Sequence, residues 1–353
     1  MKIGIVGPAL SGKTTLFQLL TGASPVGSKG GIPQGAARVP DERIDQLSAI
    51  YKPKKTTYAT VEFADFPSLG SGCELTGETA SRLKALDALA VVVRAHDDPS
   101  VPWPDVPVTA DQAFSSFLQE MVLTDLCQVE SLLTKGKDKK DKKRTPDEQR
   151  VLEACQVLLE ETKPLSAGNW SDEDLPVMRN YAFLSSRPVL VAVNLDEEQL
   201  QEKDYPGREA LSALCAEAGY PLVEFCGTLE AEISRMDKQE QLEFMAEYGL
   251  TETGIARIAG AAYELLNLCS FFTVGEDEVR AWTISAGLPA KKAAGKIHSD
   301  IERGFIRAEV INYEEFMSLG GAMKNARDQG KLRLEGKEYP VRDGDIINFR
   351  FNV

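Results

Sequence analysis

The chain has 353 residues, 43% hydrophobic and 27% charged, enough for two or three units with cores of their own, which excludes a wholly disordered protein. A formal net charge of −14 excludes a surface that coats nucleic acid as a whole, but leaves room for a local basic element. Six cysteines without a C-x-x-C pair and only two histidines exclude a disulfide framework or zinc site and predict buried, reduced thiols; without a leader pattern or a membrane-length apolar run, a cytoplasmic protein with no membrane span is expected.

In chain order, Lys2 to Gly7 reads as a short apolar strand, followed by Gly-rich punctuation and a helix from Thr14 to Leu20. Further β-rich runs at Ala59 to Asp65, Ala88 to Arg94, Val189 to Asn194 and Leu222 to Cys226 are separated by helix-length segments, as crossovers onto a mostly parallel sheet require. The runs VVV and VLVAV are continuous, which suits strands covered on both faces. From Asp111 to Lys135 the apolar residues Phe114, Phe117, Leu118, Met121, Val122, Val129, Leu132 and Leu133 recur at helical spacing, and a second helical run follows from Pro146 to Thr162. The pair predicts an inserted helical hairpin over 111–165 whose apolar stripe is its own seam.

The tip of that hairpin, KGKDKKDKKR at 135–144, carries seven basic and two acidic side chains, +5 on a chain otherwise at −19. Clustered lysines on a projecting element suit RNA phosphates, and equally suit a solvated loop; with no aromatic residue in the tip, any RNA contact there is independent of sequence, and sequence-specific DNA binding is not expected. Beyond Leu268, β-like runs surround one helical stretch, Ala290 to Asp300, and residues 270–353 hold 13 basic and 13 acidic side chains, so a small, neutral, β-rich domain over 269–353 is expected. This leaves 1–110 and 166–268 for a discontinuous α/β domain.

Gly7-Pro8-Ala9-Leu10-Ser11-Gly12-Lys13-Thr14 matches G-x-x-x-x-G-K-[ST] between the first strand and the first helix. Glycines let successive amides face phosphate oxygens, the helix N-terminus adds its positive end, Lys13 reaches the β- and γ-phosphates and lends its charge to the transition state, and the Thr14 hydroxyl ligates Mg²⁺. At the end of VLVAV stands Asn194-Leu195-Asp196-Glu197, where a GTPase carries N-K-x-D. The longer Glu197 and the apolar Leu195 weaken selectivity for guanine. A plain surface turn is the alternative reading of that segment.

The segments GIVGPALSGKTTLF, VPDERIDQL, IYKPKKTTYATVEFADF, VVVRA, AVNLDEE, FCGTLEAEI, AWTISAGLPAKKAAGKIHSDIERGFIRAEVINYEEF and LEGKEYPVRDGDIINFRFNV follow one known family in order, and the chain resembles the YchF/Obg-like ATPase family over essentially its whole length. The resemblance implies a P-loop domain of the TRAFAC type, an inserted coiled coil and a C-terminal TGS domain of the β-grasp kind. It further implies ATP preferred to GTP, with Mg²⁺, and a partner in the ribosome or its RNA through the basic tip and the TGS-like domain. Carried over by position, Pro8, Ala9, Leu10, Ser11, Gly12, Lys13, Thr14 and Thr15 hold the phosphates. Asn194, Leu195 and Glu197 hold the base, with backbone contacts from Cys226, Gly227 and Thr228, and Asp65 stands behind the Mg²⁺ ligated by Thr14.

Departures from the family pattern are equally informative. Where the family's first switch carries a threonine, VGSKGGIP at 26–33 places Lys29, a possible substitute cation near the phosphates. Where the family has D-x-A-G, the chain reads Asp65-Phe66-Pro67-Ser68, so Ser68 replaces the glycine whose N–H meets the γ-phosphate. Trp103 falls at the position of the family's hydrolysis-assisting histidine, with His96 nearby but displaced. One lost preorganised donor typically costs about 10²–10³ in rate, so binding with slow or absent hydrolysis is expected. A weak ATPase that regulates ribosome contact thus competes with a nucleotide-gated module that does not turn over and with a GTP-binding protein of the same fold. A small-molecule kinase would leave the Asn194 segment and the tail unexplained. His298 reads as a structural residue or partner contact, and Cys226 as a small buried residue rather than a redox switch.

Overall fold

The computed structural model describes residues 1–23, 31–68, 77–103, 107–135 and 145–352. It opens on β1 (Lys2–Val6), α1 (Lys13–Thr21), β2 (Gln34–Arg38), α2 (Glu42–Tyr51), β3 (Lys55–Thr57), β4 (Thr60–Asp65), α3 (Gly77–Leu83) and β5 (Ala88–Arg94). Three helices follow, α4 (Ala110–Lys135), α5 (Pro146–Glu160) and α6 (Asp174–Tyr181). Next come β6 (Val189–Asn194), α7 (Glu197–Glu202), α8 (Arg208–Ala218), β7 (Leu222–Phe225), α9 (Gly227–Ile233), α10 (Lys238–Glu247) and α11 (Gly254–Leu265). The chain continues through β8 (Leu268–Thr273), β9 (Glu278–Ser285), α12 (Ala290–Ile297), α13 (Ser299–Arg303), β10 (Phe305–Asn312), α14 (Tyr313–Ser318), α15 (Met323–Asp328), β11 (Arg333–Glu335) and β12 (Asp345–Phe351).

Contacts divide the chain into two units, Met1–Gly35 with Glu62–Ala261 and Ala36–Val61 with Ala262–Val353. The second unit takes up 262–268 ahead of its expected start at 269, and the larger departure is at residues 36–61, which belong with it. The reason is a long-range pairing that no local pattern announces: β3, three polar residues, lies parallel to β9 from Lys55↔Glu278 to Thr57↔Arg280. The helical hairpin is not split off; it falls inside the first unit.

In the first unit β4, β1, β5, β6 and β7 are neighbours in that order and run parallel. Every residue of β5 and β6 is buried, as their uninterrupted apolar sequences require when helices cover both faces. The parallel order puts the C-terminal ends of β1, β4, β5 and β6 on one edge of the sheet, where the crossover loops gather.

The apolar stripe of the hairpin serves two cores. Phe114, Phe117 and Met121 of α4 join the cluster over β5 and β6, while Val122 and Val129 pack with Val151, Leu152, Cys155 and Leu159 of α5. The expectation of a seam private to the hairpin is corrected: Leu165, Met178 of α6 and Phe183 complete that cluster. Periodicity marks which face is apolar but not which neighbours cover it. Asp125, fully buried on α4, accepts from Leu184 N at 2.9 Å and from Ser185 N and Oγ, each at 2.7 Å, which ties the hairpin to the approach to β6.

The second unit is a mixed sheet ordered β11-β10-β12-β8-β9-β3. The alanine face of α12 (Ala290, Ala293, Ala294) packs with Phe271, Ile284, Val310 and Ile347 of that sheet, an arrangement consistent with the expected TGS-like β-grasp domain. The single helix expected from Ala290 to Asp300 is broken: His298 is extended (φ −162°, ψ 143°), and its Nδ1 accepts from Asp300 N at 3.2 Å to cap α13. Cys155, Cys215, Cys226 and Cys269 are buried as expected, whereas Cys127 is exposed on α4, and Cys73 lies outside the described residues. No described helix is long and apolar enough to cross a membrane.

Candidate functional site

β1 delivers the chain to Gly7, whose φ of 143° is closed to most side chains and whose Cβ, if present, would strike the carbonyl oxygen of Val92 on the adjacent strand. The turn continues through Pro8, Ala9, Leu10 (φ 59°) and Ser11 to Gly12 (φ 94°), which opens α1. Gly12 has no side chain to cap the helix, so the first-turn amides of α1 are left for an outside acceptor, the arrangement that favours an anion. Leu16, Phe17 and Leu20 bury the inner face of α1 and hold the turn against the sheet. Lys13 is only 4% exposed; its Nζ donates to Pro8 O at 2.5 Å and to Ser68 Oγ at 3.2 Å.

On one side of Lys13 lies a cavity of about 390 Å³ bordered by Thr14, Ile32, Pro33, Asp65, Ser68 and Arg82. Thr14 Oγ1 donates to Asp65 Oδ2 at 2.8 Å. Two further oxygens, Asp65 Oδ1 and Ser11 Oγ, are buried with no hydrogen-bond partner among the described residues. Burial pushes the Asp65 carboxyl above the usual carboxylate range, against the Thr14 hydrogen bond and the Lys13 charge that hold it down. A threonine hydroxyl and a buried carboxylate with an unmet oxygen fit a small, hard divalent cation, which takes oxygen donors. Lys29 lies outside the described residues, as do residues 136–144 of the basic tip.

On the other side of the loop a cleft of about 660 Å³ is bordered by Leu10, Gly12, Thr15, Asn194, Leu195, Glu197, Gly227 and Thr228, so the residues singled out from three distant sequence segments meet at one place. Both ends of the buried Asn194 carboxamide are committed: Nδ2 donates to Ser11 O at 3.1 Å, and Oδ1 accepts from Gly227 N at 3.1 Å. Its side chain therefore joins the phosphate loop to α9, with one N–H and one lone pair of the carboxamide left over at the cleft. Leu195 is 2% exposed and belongs to the sheet core, with an edge on the cleft. Asp196 caps its own helix by accepting from Gln199 N at 2.9 Å. That leaves the exposed Glu197, whose Oε2 accepts from Tyr248 Oη at 3.2 Å. Cys226 is buried, its Sγ 3.1 Å from Thr228 Oγ1, and burial raises the thiol, which favours the unreactive form.

The loop after β5 supplies a wall that the motifs did not announce. Arg94 closes an otherwise apolar strand, and its guanidinium donates to the carbonyls of His96, Val101 and Pro102 and lies 4.1 Å from the centre of the Trp103 ring. An arginine ending an otherwise apolar run was the signal available in the sequence. The loop sets His96, Asp97 and Asp98 on the cleft beside Leu195 and Glu197, away from the Thr14–Asp65 cavity. Burial first, and then Arg94, lower the His96 imidazole below its usual value.

A family model, YchF-GTPase_C, described as "Protein of unknown function (DUF933)", matches residues 268–352. The ribosome-binding ATPase YchF of Escherichia coli O157:H7 is 36% identical over 100% of this chain and 99% of its own length. The chain belongs to the YchF family. The Bacillus subtilis (strain 168) ribosome-binding ATPase YchF is 35% identical over 99% of both chains, and Obg-like ATPase 1 of Caenorhabditis elegans 33% identical over 100% of this chain and 92% of its own. The solved structure of the Schizosaccharomyces pombe YchF GTPase superposes with a TM-score of 0.87 at 28% identity, covering 99% of this chain and 97% of that one. The P-loop domain and the C-terminal sheet expected from the sequence are thus the parts of a YchF fold, in which the Gly7–Thr14 turn is the P-loop.

Proposed function

We propose that this chain binds Mg²⁺-ATP in preference to GTP, hydrolyses it slowly, and acts through the ribosome in the cytoplasm. The observation that carries the nucleotide assignment is the turn from Gly7 to Thr14, with an uncapped helix N-terminus and a buried ammonium at Lys13 on the same loop. In this reading Ala9 to Thr15 present their amides and hydroxyls to the phosphates while Pro8, which has no N–H, shapes the turn, and Lys13 exchanges Pro8 O and Ser68 Oγ for phosphate oxygens. Thr14 ligates the magnesium ion with Asp65 behind it; the ion's chemistry is to neutralise charge on the β- and γ-phosphate oxygens. The base lies between Leu195 and the backbone of Cys226, Gly227 and Thr228. Guanine recognition needs a short carboxylate aimed at two N–H donors, whereas Asp196 is occupied as a helix cap and Glu197 is longer and tied to Tyr248. That pattern favours adenine.

Slow turnover follows from what stands around the γ-phosphate. Pro67 has no N–H to donate, and His96 faces the base-side cleft. The ribosome enters from the relatives, named ribosome-binding ATPases, and from the basic segment 135–144 and the TGS-like domain as the surfaces suited to RNA phosphates. Melting curves with Mg²⁺-ATP and Mg²⁺-GTP test the assignment: at about 100 times Kd a ligand adds roughly 2.7 kcal/mol, which Lys13→Ala removes. A larger shift with GTP than with ATP would leave a GTP-binding protein of the same fold, and equal shifts would refute the preference. A single-turnover assay separates slow hydrolysis from none, and a rate typical of an efficient ATPase would refute the impaired-switch reading.

A further inference from the structure

Six described residues other than glycine have positive φ, and five of them, Lys52, Thr162, Ala182, Lys203 and Asn267, close the C-terminal end of a helix, where a left-handed residue completes the last turn. Leu10 is the exception. It precedes a helix, at φ 59°, a region that disfavours side chains other than Asn, Asp or Gly, and a branched apolar side chain gains no local hydrogen bond there. Nor is it compensated by packing, because Leu10 is 49% exposed. Strain held at a position that the fold does not reward points to a function at that position. The only cavity bordered by Leu10 among those described is the base-side cleft, which it shares with Thr15, Leu195 and Thr228.

We propose that the Leu10 side chain is the apolar contact for the nucleoside half of the ligand, covering the sugar and base from the phosphate-loop side while its backbone serves the phosphates. This rests on the nucleotide assignment above and adds a specificity-determining residue to it. The test compares wild type with Leu10→Asn, since asparagine tolerates positive φ and can keep the turn. Calorimetry with a non-hydrolysable ATP analogue and with inorganic tripolyphosphate, each with Mg²⁺, gives the ratio of the two affinities. Loss of about half a leucine's burial lowers that ratio roughly five- to tenfold, and the ligand-free melting temperature rises by about 2–4 °C as strain is relieved. An unchanged ratio in a variant that binds both ligands overturns the assignment of Leu10 alone. If wild type binds neither ligand, the nucleotide assignment falls and the role of Leu10 falls with it.

Discussion

Asn194 is the residue on which the geometry of the site turns. Asn194→Ala removes a donor from Ser11 O and an acceptor from Gly227 N, both at 3.1 Å, at a position only 6% exposed. A net hydrogen bond contributes about 1 kcal/mol and an unmet buried partner costs about 1–3 kcal/mol, but the neighbouring cleft lets water reach the vacated groups, so the loss is about 2–3 kcal/mol. For a domain of this size that lowers Tm by about 4–12 °C. Asn194→Asp is the sharper variant. Its carboxylate still accepts from Gly227 N but sets a second oxygen against Ser11 O; once protonated it can donate there, so its deficit narrows as pH falls toward 5. Calorimetric melting of both variants at pH 7.5 and pH 5 decides the matter. An alanine variant melting within about 1 °C of wild type would refute the claim that this bridge holds the loop.

Three further outcomes follow from the same structure. Gly7→Ala drives a Cβ toward Val92 O at φ 143°, and should lower both Tm and nucleotide affinity, measured by melting and titration. The double substitution Pro67→Ala with Ser68→Gly gives position 67 the backbone N–H that proline lacks and frees Lys13 from a hydroxyl, so the single-turnover rate should rise at least about tenfold. Burial raises the Asp125 carboxyl against three hydrogen bonds, so the folded state holds its proton more tightly than the unfolded chain; that stabilisation is present below the unfolded value and lost as pH rises through the folded one. Wild-type stability relative to Asp125→Asn should therefore increase as pH is lowered from 7 to about 4.5, as read by urea unfolding.

The first sheet was legible because burial on both faces forces uninterrupted apolar strands such as Val189–Asn194, and the phosphate loop because its glycines are needed for backbone shape. What stayed hidden is non-local. Lys55–Thr57 carries no apolar alternation and becomes a strand only through β9, which moves its segment to the second unit. Asn194 was legible as a site residue, yet its commitment to Ser11 and Gly227 depends on three segments meeting. The helix expected through His298 stops there because an imidazole caps the next turn, a hydrogen bond that hydropathy does not register.

On the proposed function the Gly7–Thr14 turn grips a magnesium-bound purine triphosphate. Isothermal titration of Mg²⁺-ATP into the intact protein tests it most directly. One saturable site per chain, lost in Lys13→Ala, is the expected result; a folded wild-type protein that takes up neither ATP nor GTP would contradict the assignment.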